Sequence, residues 1–258
     1  MMIFACAALF SACGEKDTTP ADTPSGGEEN PVETPSKRVK QIVLSQEGYN
    51  DKVLDFAWEG NLLKSISASS EFGNLNIVYS YEGLRPSSSQ WVMYGDTYNY
   101  SYQYEGDRLS SQNVPYGDGV VHYTYLGGHV SELNGYKFEW ENDNLAKIRK
   151  EENEQDFSEY TFVYDGKNSP FPQMYGVEWI NEDFFHEPVW GFWSKNNVIH
   201  YEGKSVEQAQ TTRAKTMDVE FTYDEDGYPA RASVTEKDFD RNELIREKHI
   251  TISYSYYD

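Results

Sequence analysis

Residues 100–111, YSYQYEGDRLSS, alternate aromatic and polar side chains, break at a Glu-Gly-Asp turn and resume at a leucine. Successive side chains of a β-strand point to opposite sides, so this alternation places Tyr100, Tyr102 and Tyr104 on one face. Glycine suits the turn because tight hairpins need positive φ angles. The stretch therefore predicts a β-hairpin with one aromatic face.

The same phrase recurs along the chain, which indicates a repeated structural unit. Gly60, Gly83 and Gly106 follow one another at intervals of 23 residues. A period of this size fits a strand, a tight turn, a second strand and a looser connection, so consecutive hairpins form a meander. The other copies of the phrase are Trp58-Glu-Gly-Asn-Leu62, Tyr79-Ser-Tyr-Glu-Gly-Leu84, Trp140-Glu-Asn-Asp-Asn-Leu145 and Tyr223-Asp-Glu-Asp-Gly-Tyr228.

The turn spacing predicts roughly ten antiparallel strands between Val39 and Tyr164. Further strands are predicted near residues 175–180, 196–201, 216–223, 228–237 and 247–257. Because open sheets rarely exceed about ten strands without curling, a meander of this length should roll up and bury its rings. The predicted fold class is all-β, a long antiparallel meander curled into a barrel-like or wrapped sheet with an aromatic core.

The composition supports a core made mainly of rings. Hydrophobic residues make up 38% of the chain and aromatic residues 16%, with 21 Tyr and 6 Trp. A membrane-spanning barrel would need an apolar outer band on every strand. The outward positions here carry Lys, Glu, Asp, Ser and Thr, and the apolar residues suffice for one face only. That face is predicted to be the interior.

The charge limits the classes of partner. A net charge of -21 disfavours polyanions, because phosphate backbones are neutralised by Lys and Arg, so no nucleic-acid partner is expected. Repulsion between copies of a chain with this negative charge favours a monomer. The sequence contains no run of 18 apolar residues, so no transmembrane helix is predicted. We expect no cofactor.

Residues 1–13, MMIFACAALFSAC, resemble the apolar region and lipobox of a bacterial lipoprotein signal peptide. The resemblance implies cleavage before Cys13 and lipid attachment to its new amino terminus. Two features depart from that pattern: Phe10 stands where Leu is usual, and no basic residue precedes the apolar run. We therefore expect the true start to lie upstream of Met1. Cys6 would be removed, so the mature chain would contain no disulfide and no cysteine-based metal site.

The chain is predicted to have three parts: a signal peptide at 1–12, a lipid anchor with an acidic Pro/Thr-rich linker at 13–37, and a single β domain at 38–258. The linker contains almost nothing to bury, so it is expected to act as a flexible tether. Its acidic start also resembles the export signal of Bacteroides-type surface lipoproteins. The expected location is the outer membrane with the domain on the cell surface, and a periplasm-facing domain is the alternative.

Two local motifs narrow the family resemblance: Tyr164-Asp-Gly-Lys-Asn-Ser-Pro170 and Ser194-Lys-Asn-Asn197. Together with the lipobox they are similar to a family of Bacteroides-type outer-membrane lipoproteins of unknown function with a porin-like fold. The hairpin phrase also resembles the YD-type repeats of large secreted bacterial proteins. The resemblance implies a curled antiparallel sheet and assigns no catalytic residue.

An aromatic insertion over about 169–205 interrupts the repeat, since no copy of the phrase occupies its expected place between Gly166 and Gly227. Long insertions between repeats often carry function. The candidate ligand-binding residues there are Trp179, His186, Trp190 and Trp193, whose rings would stack on sugars or on a partner's apolar side chains. The alternative is that the insertion plugs one end of the barrel.

Motifs for catalysis are weak. The acids Glu178, Glu182, Asp183 and Glu187 lie beside the aromatic residues, but acids are abundant throughout the chain. The loop starting at Asp224 is rich in carboxylates, as calcium-binding loops are, but it lacks the further ligands and the bidentate glutamate of a complete site. A turn is therefore the favoured interpretation. We therefore expect a non-catalytic binding or interaction module for a glycan or protein. A polysaccharide-degrading hydrolase and a structural component of an outer-membrane assembly remain open alternatives.

Overall fold

The computed structural model describes residues 37–70, 73–93, 95–115, 119–171 and 194–257. These ranges contain strands and turns and no helix. The first eight strands are β1 (Arg38–Gln46), β2 (Lys52–Glu59), β3 (Leu62–Ser70), β4 (Gly73–Glu82), β5 (Arg85–Met93), β6 (Asp96–Glu105), β7 (Arg108–Asn113) and β8 (Val120–Leu126). The others are β9 (His129–Leu133), β10 (Tyr136–Glu141), β11 (Asn144–Glu151), β12 (Phe157–Tyr164), β13 (Val198–Glu207), β14 (Gln210–Tyr223), β15 (Pro229–Asp240) and β16 (Glu243–Tyr257).

The 16 strands form one closed antiparallel barrel in which each strand pairs with the strands before and after it. β1 closes the barrel by pairing with β16, with Arg38 opposite Tyr257. The predicted all-β meander of hairpins is therefore confirmed. Closure, which the sequence left open, leaves no sheet edge along most of the barrel wall.

The strand count differs from the prediction in the first part of the barrel. Twelve strands, β1 to β12, lie between Arg38 and Tyr164 where about ten were predicted. The difference arises because strands such as β9 contain only 5 residues, too few to show a clear alternation. The predicted strand near 175–180 lies outside the described residues. The other late predictions correspond to β13 to β16, and residues 198–205 of the predicted insertion lie in β13.

The barrel wall is apolar inside and polar outside. Val39, Ile77, Val130 and Ile148, from four different strands, are fully buried. The interior also contains the buried side chains of Ile42, Phe56, Leu63, Tyr79, Trp91, Tyr100, Tyr102, Phe138, Tyr201 and Val234. The exposed outward positions include Asn76, Ser80, Gln90, Asn99, Gln103, Glu139, Glu202, Glu220 and Ser233. This is the polarity that the strand pattern predicted, and it is the reverse of a lipid-facing barrel wall.

Gly203 on β13 is a point of close approach in this interior. A Cβ atom at this position would lie 2.8 Å from Cδ1 of Tyr160 and 2.9 Å from Cζ of Tyr201. The two rings are stacked, with centroids 6.2 Å apart and planes at 15°. Glycine is therefore required here by the neighbouring rings and not by a turn.

Gly203→Ala is expected to lower the free energy of unfolding by about 1–3 kcal/mol, because the added methyl group must displace a packed ring. Urea-induced unfolding followed by circular dichroism would measure the change. Gly166→Ala is the matched control, since a Cβ atom at Gly166 meets nothing within 4 Å. A Gly203→Ala protein as stable as the control would contradict the packing argument.

The outer face carries an ion-pair network centred on Glu159 of β12. Its carboxylate lies 2.9 Å from Lys204 Nζ on β13, and 3.1 Å from Lys147 Nζ and 2.8 Å from Arg149 Nη1 on β11. Burial alone would raise the pKa of Glu159, but the three cations together lower it to about 2. The ionised carboxylate therefore joins three consecutive strands.

Glu159→Gln is expected to lower the free energy of unfolding by about 1–3 kcal/mol at neutral pH. The pKa of Glu159 is lower in the folded than in the unfolded chain, so its stabilisation is complete above the unfolded value. The stabilisation is lost as the pH falls through the folded value of about 2. The gap between wild type and variant should therefore close between about pH 5 and pH 2 in urea titrations. Glu202→Gln, at an exposed position of the same face, is the matched control, and an equal loss of stability in that variant would contradict the role of the network.

Candidate functional site: the mouth of the barrel

One end of the barrel collects the features that the sequence singled out. Strands alternate in direction, so every second turn lies at the same end. The turns of the repeated phrase, the first described residue Lys37 and the last strand's end at Tyr257 all lie at this end, which we call the mouth. The chain also leaves β12 and returns to β13 there. The other turns lie at the far end.

Each even-numbered strand ends at the mouth with an aromatic residue on its inner face, and we call these eight residues the aromatic collar. All are partly buried. A β-bulge occurs at each collar position, because one extra residue of the neighbouring strand is accommodated there. The collar consists of Trp58, Tyr81, Tyr104, Tyr125, Trp140, Tyr164, Tyr223 and Tyr256.

A regular set of hydrogen bonds links the collar around the barrel. Tyr81 Oη, for example, donates to the carbonyl oxygen of Leu63, the residue that pairs with the preceding collar residue Trp58. Trp58 Nε1 in turn donates to the carbonyl of Val39, which pairs with Tyr256, so the pattern crosses the closure of the barrel. The equivalent donors and carbonyls are Tyr104 to Pro86, Trp140 to Val130, Tyr164 to Leu145 and Tyr256 to Pro229, over 2.7 to 2.9 Å.

These bonds explain why the phrase is repeated. Each bulge interrupts the strand ladder locally. The side chain of the next repeat then satisfies a carbonyl beside that bulge while its ring stays on the inner face. The hydroxyl groups of four collar tyrosines therefore reach the backbone at the rim of the barrel: Tyr81, Tyr104, Tyr164 and Tyr256.

Tyr223 departs from this pattern and joins a second structure at the mouth, which we call the stem clamp. Its hydroxyl group donates to a carboxylate oxygen of Asp165, just after β12. Asn197, just before β13, donates its amide to the same carboxylate at 3.3 and 3.4 Å and to the carbonyl of Asn168 at 3.0 Å. Asn197 is 2% exposed. The two ends of the interrupted hairpin are therefore held together by partly buried polar contacts around the buried Asn197 side chain.

The other half of the stem clamp fixes the returning chain to the β10–β11 turn. The side chains of Asn144 and Asn196 are joined at 3.0 Å, and the Asn144 side chain also accepts the backbone N–H of Asn196 at 3.0 Å. Ser194 Oγ donates to Tyr164 Oη at 2.7 Å and accepts the backbone N–H of Leu145 at 3.2 Å. This bonding ties the stem clamp to the aromatic collar.

The chain beyond β12 turns into the interior of the barrel. The ring of Phe171 is buried, and its centroid lies 5.7 Å from that of Phe56 on β2. β2 and β12 are not neighbours in the sheet, so this contact crosses the interior. Phe171 and Ser194 are both buried, and they bound the segment 172–193.

The acidic loop after β14 forms a turn, as the sequence analysis favoured. Asp224 accepts the backbone N–H groups of Asp226 and Tyr228 at 3.0 and 2.9 Å. Lys37 Nζ lies 2.8 Å from Asp224 and 2.5 Å from Asp226. Burial alone would raise the pKa of Asp224, but Lys37 and these N–H groups hold that pKa below its ordinary value. The Asp224 side chain is therefore occupied by the turn itself and by the start of the barrel.

The residues predicted to bind ligand or lipid lie outside the described residues, and their roles remain predictions. They are Cys13, Trp179, His186, Trp190 and Trp193, together with the acids Glu178, Glu182, Asp183 and Glu187. In the described ranges, no group of three or more His, Cys, Asp or Glu side chains is placed to hold a metal ion. Nor does this part of the chain contain a helix long and apolar enough to cross a membrane.

The two motifs at 164–170 and 194–197 build the stem clamp, and the sequence did not predict which of their side chains contact one another. The sequence placed Asp165, Asn168 and Asn197 only within the two motifs that carry the family resemblance. Their unusual density of amide and carboxyl groups on both sides of the interruption was the available signal. Lys37 was assigned to the end of the linker, although it is fixed to the barrel.

A scan against protein-family models and a search of curated proteins gave no match. A search of solved structures found a porin-like protein from Bacteroides uniformis with 10% identity and a TM-score of 0.44, covering 85% of this chain and 96% of that one. It also found a porin-like protein from Bacteroides vulgatus with 10% identity and a TM-score of 0.39, covering 86% of this chain and 99% of that one. The fold described above is a closed up-and-down antiparallel barrel with an even number of strands, the architecture of outer-membrane-type barrels.

Proposed function

We propose that this protein is a lipid-anchored outer-membrane protein that acts as a non-catalytic binding module on the cell surface. In this proposal, Cys13 carries the lipid and the barrel is a rigid support in water. The segment 172–193 binds a glycan or a partner protein through Trp179, His186, Trp190 and Trp193. The protein works as a monomer and uses no cofactor.

The stem clamp is the observation that carries this proposal. Buried polar networks are costly unless fully satisfied, so their presence at a hairpin connection needs a reason. Asn197 and Asp165 hold the two ends of the segment side by side, and the Phe171–Phe56 contact fixes one end to the interior. A fixed base reduces the entropy that a binding segment loses when it meets a ligand.

The polarity of the barrel wall supports a domain in water. Most of its exposed outward positions carry amides, hydroxyls and charges, which would be costly to bury in hydrocarbon, and Val78, Val120 and Val163 are exceptions. The lipobox-like sequence would then provide the attachment to the membrane. A lipid on Cys13 and the 23 residues between Cys13 and Lys37 would place the barrel beside the bilayer and not within it.

The anchor is tested by labelling cells with radioactive palmitate and isolating the protein. Wild type should incorporate label and fractionate with the outer membrane, whereas Cys13→Ala should incorporate none. Protease added to intact cells should digest a surface-exposed domain. Unlabelled wild-type protein would overturn the anchor, and protection in intact cells would overturn surface exposure.

Binding is tested on a glycan array and by pull-down of crosslinked cell-surface proteins with the purified protein. Trp190→Ala and Trp193→Ala should each weaken a detected interaction at least about tenfold, as expected for the loss of a stacking ring worth about 1.4 kcal/mol or more. Tyr49→Ala, at an exposed far-end position, is the control. A ligand that is insensitive to both tryptophan variants would overturn the site. Release of reducing sugar from a bound glycan would favour the hydrolase alternative.

A further inference from the structure

We infer that one arc of the mouth, formed by strands β2 to β9, is a contact surface for the bilayer to which the protein is anchored. This inference rests on the proposed lipid anchor and adds an orientation to it. The surface consists of the turns at Gly60, Gly83, Gly106 and Gly127 with the four collar rings beneath them, and we call it the interfacial arc.

The point where the chain joins the barrel determines which end lies nearer the anchor. Lys37 is held at the mouth by Asp224 and Asp226, so everything that precedes it connects there. If the 23 residues between Cys13 and Lys37 form the tether expected from their composition, their average end-to-end distance is about 26 Å. A ten-residue strand is itself about 33 Å long. An anchor at Cys13 would therefore hold the mouth, more often than the far end, against the membrane.

The most exposed large apolar side chains of the mouth lie on the interfacial arc. Leu84 and Leu126, in the turns after β4 and at the end of β8, are 65% and 78% exposed. Ile245 at the far end is also 65% exposed, so apolar exposure alone does not distinguish the two ends. The connection at Lys37 does distinguish them, because only the mouth is joined to the proposed anchor.

The rings below these turns carry cations in a repeated arrangement. Lys64 Nζ lies 5.3 Å from the ring centroid of Tyr81. The guanidinium carbons of Arg85 and Arg108 lie 5.7 and 5.4 Å from the centroids of Tyr104 and Tyr125. Half-buried aromatic rings with long basic side chains and exposed leucines are the residues that proteins place at the membrane–water interface.

The charge of the interfacial arc fits a zwitterionic headgroup surface. The acids near its turns are Glu59, Glu82, Glu105 and Asp107, and the bases are Lys64, Arg85 and Arg108. Arg38, at the start of the adjoining strand β1, adds a fourth base, because its guanidinium donates to the carbonyl of Gly60 in the first of these turns. The two sets balance. The opposite side of the mouth carries the acids Asp143, Asp165, Asp224, Glu225 and Asp226. Its bases Lys37, Lys167 and Lys195 are fewer, so this side keeps a net negative charge. Contact with a bilayer should therefore be made by the interfacial arc, with the acidic side directed away.

The orientation is tested with the mature chain held on vesicles by an N-terminal His-tag in place of Cys13, using nickel-chelating lipid in phosphatidylcholine. A single cysteine carrying an environment-sensitive fluorophore is placed at Leu84 or Leu126 on the interfacial arc, or at Ile245 at the far end. Headgroup-labelled quencher lipids should quench the two mouth labels at least twofold more than the Ile245 label. Equal quenching at both ends, or stronger quenching at Ile245, would overturn the inference.

A second measurement separates contact from proximity. With the fluorophore at Asp107, between the two leucine turns, the double variant Leu84→Asp and Leu126→Asp should reduce quenching at least twofold. Unchanged quenching would mean that the leucines make no contact and would also overturn the inference. Because the His-tag replaces acylation, failure here is distinct from failure of the palmitate test, which concerns the anchor alone.

Discussion

Asn197→Asp is expected to lower the free energy of unfolding by about 3–5 kcal/mol at pH 7, the range for a buried charge left without its partner. The substitution keeps the shape of the side chain but replaces an amide donor with a second carboxylate, 3.3 to 3.4 Å from the oxygens of Asp165. The new carboxylate would also face the carbonyl of Asn168. Urea unfolding at pH 7 measures the loss.

The pH dependence identifies the cause. Two carboxyl groups at this separation can share one proton, so the loss should shrink as the pH is lowered toward about 4. Asn99→Asp is the matched control, since Asn99 accepts a hydrogen bond from Gln90 on the exposed outer face and keeps an acceptor oxygen after the change. The control should change stability by less than about 0.5 kcal/mol. An Asn197→Asp loss that is independent of pH would contradict the electrostatic explanation.

Phe56→Ala is expected to lower the free energy of unfolding by about 3–5 kcal/mol, because a fully buried ring is replaced by a cavity. Phe56 is 1% exposed and contacts Phe171 across the barrel interior. Its loss should also release the start of the segment 172–193 from the barrel wall. Thermal or urea unfolding measures the first effect, and the protection of the Phe171 amide from hydrogen exchange measures the second.

A double-mutant cycle isolates the contact between the two rings. Phe56→Ala and Phe171→Ala should lose less stability together than the sum of the single changes, by about 0.5–1.5 kcal/mol. The control cycle pairs Phe56→Ala with Phe138→Ala. Phe138 lies in the same buried core on β10, and it takes no part in the ring contact between Phe56 and Phe171. Strict additivity for Phe56 and Phe171 would show that the interior contact carries no coupling.

The repeated hairpins could be predicted because their information is local. Tyr100, Tyr102 and Tyr104 alternate with polar residues, and Gly106 marks the turn, so one hairpin can be recognised from a dozen residues. Other turns were less visible. Gln208, Ala209 and Arg241 adopt positive φ angles without being glycine or asparagine, at 51°, 61° and 48°. Two-residue loops between paired strands impose that geometry even where the residue type does not favour it.

The stem clamp could not be predicted, since its partners come from different parts of the chain. Asn197 and Asp165 are separated by 32 residues, and Tyr223 and Asp165 by 58. Neither separation leaves a periodic pattern. The hydrogen bonds of the collar also join distant parts of the chain. Trp58 donates to the carbonyl of Val39, and Val39 pairs with Tyr256 of the last strand at a bulge.

The sequence by itself determined the repeated hairpin, which of its faces is buried and the aromatic interior that results. It could do so because side-chain alternation and turn chemistry act within a few neighbouring residues. Only the tertiary structure decided that the barrel closes through β1 and β16, that eight collar residues meet at one end, and that the interrupted hairpin is clamped there. Those features depend on strand register and on contacts between distant residues. They become defined only when the meander has closed and the bulges have fixed where each ring lies.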